Sequence, residues 1–270
     1  MLEKTRAIVL NSLKYGESQM IVDMYTEGRG RLSFIQRIPR QGRGGIKKQY
    51  FQPLTILDIE FDYRATQRLH KLRSAAVAFP FRSLPFDMAK LSIALFVAEF
   101  TIYVTRSEQA DPALYAFVEN SVRWLDACEG SFANFHIIYM LHLTRFIGFY
   151  PNVEDYAGGC CFDMREGCFV YAAPPHADFL PPHEAEKIGL LLRLNYATMR
   201  LLRLTREERN RCVDVLLAYY RLHLPDFPEM KCNVTQYDGH VIETTGLIKM
   251  DFLGLKTLSE LKEACKVVKQ

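Results

Sequence analysis

The sequence predicts an α+β multidomain chain in which a small N-terminal β-barrel precedes an α-helical domain with an inserted β-hairpin. Three observations lead there. Short runs of branched and aromatic residues fill the chain to about residue 73, helical periodicity takes over from Asp87, and the charge divides near the same place. Residues 1–73 hold 14 Lys and Arg against 7 Asp and Glu, whereas the remainder holds 20 against 24. The first part is strongly cationic and the second mildly acidic, so they do not attract the same partner. A length of 270 residues accommodates about two domains, and 49% apolar content is ample for real cores.

The strand runs fall at residues 5–13, 20–25, 32–38, 54–63 and, more weakly, 68–73, separated by glycine or charge. Five short strands in about 70 residues make a small barrel. In the third, Leu32, Phe34 and Ile38 alternate with Arg31, Ser33 and Arg37, so one face is greasy and the other carries guanidinium groups. The basic face runs into a glycine-rich segment, residues 37–48, with five basic side chains and no carboxylate. A cationic strand and loop on a five-stranded barrel is what an OB-fold uses to hold oligonucleotides. Candidate phosphate contacts are Arg29, Arg31, Arg37, Arg40, Arg43, Lys47 and Lys48, and Tyr50 and Phe51 are candidates for stacking on bases. The plainer alternative makes the cations a solvated surface and the aromatic pair part of the core.

Helical spacing of Leu91, Ala94, Leu95, Ala98 and Ile102 predicts a helix over residues 87–106. Asp111 before Pro112 is an N-cap and first-turn pair that opens a second, to about residue 128. A third spans 132–146 and is stopped by Gly148 and Pro151. Residues 160–172 alternate around Arg165-Glu166-Gly167, which predicts an isolated hairpin. Helices resume over 182–195 and 205–223, the latter opened by a capping box of Thr205 with Glu208. The expected domains are 1–80, 81–232 with the hairpin, and an atypical tail from 233 to 270.

Chemistry-bearing patterns are weak. Cys160, Cys161, Cys168, His176 and His183 lie close together but lack the paired Cys-x-x-Cys spacing of a closed zinc site, so no metal is expected. No nucleophile elbow, phosphate loop, dinucleotide fingerprint or His-Glu-x-x-His occurs, so neither an enzyme nor a cofactor is predicted. No run approaches the roughly 20 apolar residues of a membrane span. Seven cysteines, an odd number with two adjacent, argue against a disulfide framework and point to a reducing cytoplasm.

Several of these segments also match one group. Leu10, Tyr15-Gly16-Glu17-Ser18, Thr26-Glu27, Gly30, Gly42-Arg43 and Gln52-Pro53-Leu54 have the order and spacing of the N-terminal domain of the bacterial recombination mediator family RecO. Leu141-His142-Leu143 with Gly148-Phe149 and Pro151 resembles its central helix and stop, and Tyr219-Tyr220-Arg221 with His223 resembles the end of its last long helix. The similarity covers roughly residues 1–230. It implies an OB-fold, a helical domain, no catalysis, and a bacterial cytoplasmic, nucleoid-associated protein. It further implies binding of single- and double-stranded DNA, strand annealing, and work with RecR to load RecA onto DNA coated by single-strand-binding protein, whose C-terminal tail is a partner. Some members carry a four-cysteine zinc module; here Asp155-Tyr156-Ala157-Gly158 stands where the first cysteine pair would fall.

Residues 234–264 resemble instead an internal stretch of the bacterial DNA polymerase III alpha subunit, in which Asp251 is similar to one of three magnesium-holding carboxylates. The Pro-Asp-x-Asp segment that supplies the others is missing, so polymerase activity is not expected and the tail reads as a fusion or assembly scar. The alternative to a DNA-binding mediator is a non-enzymatic adaptor whose helical surfaces grip proteins and whose DNA contact is incidental.

Overall fold

The computed structural model describes residues 1–16, 18–37, 46–105 and 109–230. Glu17, Ile38, Arg40, Gly42, Arg43 and the tail therefore lie outside the described residues. The N-terminal part is a curled six-stranded sheet: β1 (Leu2–Tyr15), β2 (Gln19–Thr26), β3 (Gly30–Arg37), β4 (Ile56–Asp62), β5 (Leu69–His70) and β6 (Leu72–Phe79). Their order is β5-β3-β2-β1-β4-β6, antiparallel except for β3 with β5. The two edge strands are separated in sequence by Lys71 alone, so the sheet curls until its edges share one stretch of chain. This is the OB-type barrel expected. The weak fifth run proves to be two strands, and β6 extends well beyond it. Its alternation was hidden because Ser74, Ala75 and Ala76 carry little apolar signal against β4.

Inside the barrel, Val9, Met20, Val22, Met24, Phe34 and Phe61 pack together, each at most 7% exposed. A 3-10 turn, Lys48–Phe51, plugs one opening by inserting Phe51, with Ile46 beside it. The outward face of the same strands is also covered near their middle. Ile8, Leu10, Tyr25 and Ile56 belong to the core of the helical part, so Ala7-Ile8-Val9-Leu10 is buried on both faces. Leu10 shares the helix-facing side with Ile8, and a β-bulge between Val9 and Asn11 reverses the alternation of the residues beyond it. There Leu54, in a left-handed conformation at φ 64°, donates its N–H to the Val9 carbonyl at 2.6 Å, and the Val9 N–H donates to Thr55 at 2.9 Å. Leu54 is thus a strained corner and not the start of the fourth strand, which opens at Ile56.

The helical part comprises α1 (Met88–Val104), α2 (Pro112–Ala127), α3 (Phe135–Leu143), α4 (Pro182–Leu192) and α5 (Arg206–His223). All of α3 except His142 is buried, and it packs against each of the other four helices. A helix apolar on every side can only be central. It is shorter than its periodicity predicts, because the chain turns at Thr144. Gly148, at φ 88°, and Phe149 both donate their backbone N–H to the Thr144 carbonyl, at 3.1 and 3.2 Å. The Tyr220 hydroxyl donates to Met140 at 2.7 Å and the Tyr219 hydroxyl to Phe149 at 2.9 Å, while His223 stacks on Phe149. The α5 capping box forms as expected: the Glu208 N–H reaches Thr205 and the Thr205 N–H reaches Glu208.

The expected hairpin forms as β7 (Cys161–Asp163) and β8 (Cys168–Val170), but it is not isolated. β9 (Phe179–Leu180) pairs with β7 to make a three-stranded sheet, which a two-residue strand after a Pro-rich stretch does not announce. Cys160 and Cys161 are buried, and all five described cysteines are free. His176 lies 3.3 Å from Asp163, whose carboxylate also accepts the N–H groups of Arg165 and Glu166 in the turn. Among the described residues no three His, Cys, Asp or Glu side chains converge as a metal would require.

A polar knot ties the segment after the barrel to the helices. The Asp126 carboxylate accepts the backbone N–H groups of Arg82, Ser83 and Leu84 at 2.8–3.1 Å. The Lys90 ammonium, 3% exposed, donates to Ser83 Oγ and to the carbonyls of Asp126 and Cys128. Burial works against ionisation of Asp126, but the three N–H groups and Lys90 outweigh it and hold the carboxyl below its usual range. A folded-state value below the unfolded one stabilises the protein above about pH 4, and that contribution disappears as pH falls through the folded value. Asp126→Ala is expected to cost about 3–5 kcal/mol in urea unfolding at neutral pH, since it strands three backbone donors and leaves the buried Lys90 charge without its neighbouring carboxylate. Its stability should also fall less steeply than wild type on acidification. Gly189 on α4 touches the ring of Tyr156, where an added Cβ would lie 2.7 Å from Cε2. Gly189→Ala should lose about 1–3 kcal/mol in the same assay.

Candidate nucleic-acid interface

Barrel cations divide into two groups. On the side of β4 and β6, and where the barrel meets the helices, three have a carboxylate, Lys4 with Glu60, Arg73 with Asp62 at 2.8 Å, and Arg6 with Glu119 of α2 at 3.1 Å, while Arg64 after β4 is exposed and forms no ion pair with any described residue. Glu119 is nearly buried, and its charge and hydrogen bond raise the Arg6 pKa. At the opposite end of the barrel, Lys14, Arg37, Lys47 and Lys48 are exposed and form no ion pair with any described residue. Arg37 closes β3, and Lys47 and Lys48 open the 3-10 turn, so both ends of the basic segment emerge there. The turn is fixed by Phe51 and Ile46 in the barrel core. Cations held on an anchored turn, without counter-charge, create a local positive potential suited to phosphate.

The expected contact residues fare differently. Arg37, Lys47 and Lys48 are exposed, the first at the end of β3 and the others at the start of the 3-10 turn. Arg40 and Arg43 lie outside the described residues. Arg29 is engaged elsewhere: its guanidinium makes a two-pronged pair with Glu3, at 2.6 and 3.0 Å, over the ring of Tyr63. The Glu3 hydrogen bond is the largest cause of the raised Arg29 pKa. Arg31 donates to the Ile102 carbonyl at 2.8 Å, in the last turn of α1, where a positive charge complements the helix dipole. It joins barrel to helices instead of facing solvent. Phe51 requires correction as a stacking residue, because at 1% exposure it is a plug of the barrel core. Tyr50 is half-buried against the same core and leaves only part of its ring open.

Lys14 was missed because it stands alone in sequence, between Leu13 and Tyr15. Only strand pairing brings it near the basic segment, since it lies opposite Met20, which in turn lies opposite Gln36 beside Arg37. Further exposed cations, Arg68 and Lys71, flank β5 on the β3 edge of the sheet. Among the described residues no helix is long and apolar enough to cross a membrane.

Comparison with known proteins agrees with this architecture part by part. Residues 1–81 match the family described as "Recombination protein O N terminal", and residues 85–231 match "Recombination protein O C terminal". The chain is 48% identical over 231 residues to the "DNA repair protein RecO" of Phocaeicola vulgatus, covering 86% of this chain and 96% of that protein. It is 44% identical over 232 residues to the protein of that name from Bacteroides fragilis, with the same coverage. The Porphyromonas gingivalis protein of that name is 34% identical over 236 residues, again 86% and 96% covered. The sequence fragments that prompted the resemblance meet in space, Leu10 with Leu54 at the barrel corner and Tyr219, Tyr220 and His223 around Met140 and Phe149. The chain belongs to the recombination protein O family.

Proposed function

We propose that the protein acts in DNA repair and recombination as a non-catalytic mediator that binds DNA with the far end of its barrel. Arg37, Lys47 and Lys48 contact phosphates together with Arg40 and Arg43 of the segment between them, and Lys14 adds to the field. It binds single and double strands, anneals complementary strands by lowering their mutual repulsion, and with RecR loads RecA onto DNA coated by single-strand-binding protein. The tail of the latter protein is a partner, and no cofactor is needed. Family membership supports the role. The observation that carries the site is that Arg37, Lys47 and Lys48, at the two ends of the glycine-rich basic segment, are exposed and pair with no carboxylate among the described residues, unlike Lys4, Arg6, Arg29 and Arg73.

The reading is checked by salt dependence. With about five phosphate contacts, the slope of log affinity for single strands against log salt should lie near about −3.5. Replacing Arg37, Lys47 and Lys48 together by Gln should flatten it by about 2, and an unchanged slope rejects the site. Arg29→Gln, which removes a guanidinium already paired with Glu3, should leave the slope nearly as it was. Phe51 separates core from contact: Phe51→Ala should lose about 3–5 kcal/mol of stability. Phe51→Leu, which keeps the plug, should fold and bind single strands within about twofold of wild type.

A further inference from the structure

One uncovered part of the sheet is the tip formed by the last residues of β1, the first of β2 and the last of β3. On its outer face three cross-strand rows follow one another away from the helices. Asn11, Asp23 and Ser33 form the first, with Ser33 donating to Asp23; Leu13, Ile21 and Ile35 form the second; Tyr15, Gln19 and Arg37 form the third. Leu13 is 56% exposed and Tyr15 55%, although burying either would release about 1.5–3 kcal/mol. The β-bulge between Val9 and Asn11 decides this orientation. Were β1 to alternate regularly past Val9 with no bulge, Leu13 and Tyr15 would fall on the face that points into the barrel.

We infer that Tyr15 is a base-stacking platform for single-stranded nucleic acid, with Arg37 in the same row taking the adjoining phosphate. The inference rests on the DNA-binding reading and deepens it by naming the ring that holds a base. Tyr15 and Arg37 are two strands apart on one face, about 10 Å between backbones, so one ligand can reach both. The occupant follows from charge complementarity. An exposed aromatic ring beside an apolar row, flanked by Arg37 with no counter-charge among the described residues, suits a ligand with flat apolar faces on an anionic chain. Asp23 bounds the patch on the helix side and turns the anion toward the tip. The ring attracts any base through its face, so it supplies affinity without sequence preference.

The test compares full-length wild type, Tyr15→Leu and Tyr15→Trp by fluorescence anisotropy, on an oligothymidylate and on an abasic strand of equal length. Tyr15→Leu should weaken oligothymidylate binding by about 5- to 150-fold. It should leave abasic-strand affinity, salt slope and melting temperature unchanged, and Tyr15→Trp should bind like wild type. Equal oligothymidylate affinity in wild type and Tyr15→Leu overturns the inference while the phosphate site stands. So does an equal loss on both strands, or a loss in Tyr15→Trp as large as in Tyr15→Leu. A dependence of self-association mass on Tyr15, with no change in oligothymidylate binding, also overturns it and makes the patch an interface between copies. Wild type that shows no salt-dependent binding to either strand removes the underlying DNA-binding reading as well.

Discussion

The structure depends on four consecutive residues, Ala7-Ile8-Val9-Leu10, that are buried on both faces of β1. Ala7 and Val9 fill the barrel, and Ile8 and Leu10 enter the helical core, so neither part can lose β1 without exposing apolar surface of the other. The bulge at this point and the left-handed Leu54 that hydrogen-bonds to Val9 are local distortions that fit two cores to one strand. Arg6 to Glu119 and Arg31 to the end of α1 reinforce the same junction with charge. Barrel and helices are therefore one cooperative body despite their separate family matches.

The charge of the barrel is distributed unevenly around this junction. The cations near the helices and along β4 are matched by carboxylates, and most of these pairs are exposed enough to contribute only about 0–1 kcal/mol each. Their larger effect is to cancel the field there. What remains of the positive N-terminal charge lies partly around β5, on Arg64, Arg68 and Lys71, and partly on Arg37, Lys47 and Lys48, which stand on elements pinned by Phe34, Ile46 and Phe51. A buried aromatic plug under an exposed cationic rim explains why Phe51 matters to the site without touching a ligand.

The helical part shows the same economy. Its fully apolar α3 needs cover on every side, which the other four helices provide, and the residues that stop it also hold α5. Gly148, Phe149, Tyr219, Tyr220 and His223 are distant in sequence but form one hydrogen-bonded and stacked cluster. The knot of Lys90 and Asp126 performs the corresponding task at the other end of α1, satisfying every donor that burial would otherwise leave stranded.

Sequence alone determined the fold class, the five helices, the α5 capping box and the cationic character of the N-terminal part, because periodicity, caps and charge are local properties written in neighbouring residues. The short strands β5 and β9, the availability of each cation, and the direction of each aromatic ring were decided only by tertiary structure. Arg29 and Arg37 look alike in the sequence, and they differ because strand pairing sets Glu3 beside one and solvent beside the other. Phe51 reads as a stacking candidate in the sequence, and Tyr15 carries no such signal. A turn that folds into the barrel mouth buries the first, and one extra residue in β1 turns the second outward, because side-chain direction in a strand depends on register and register is set by the partner strand.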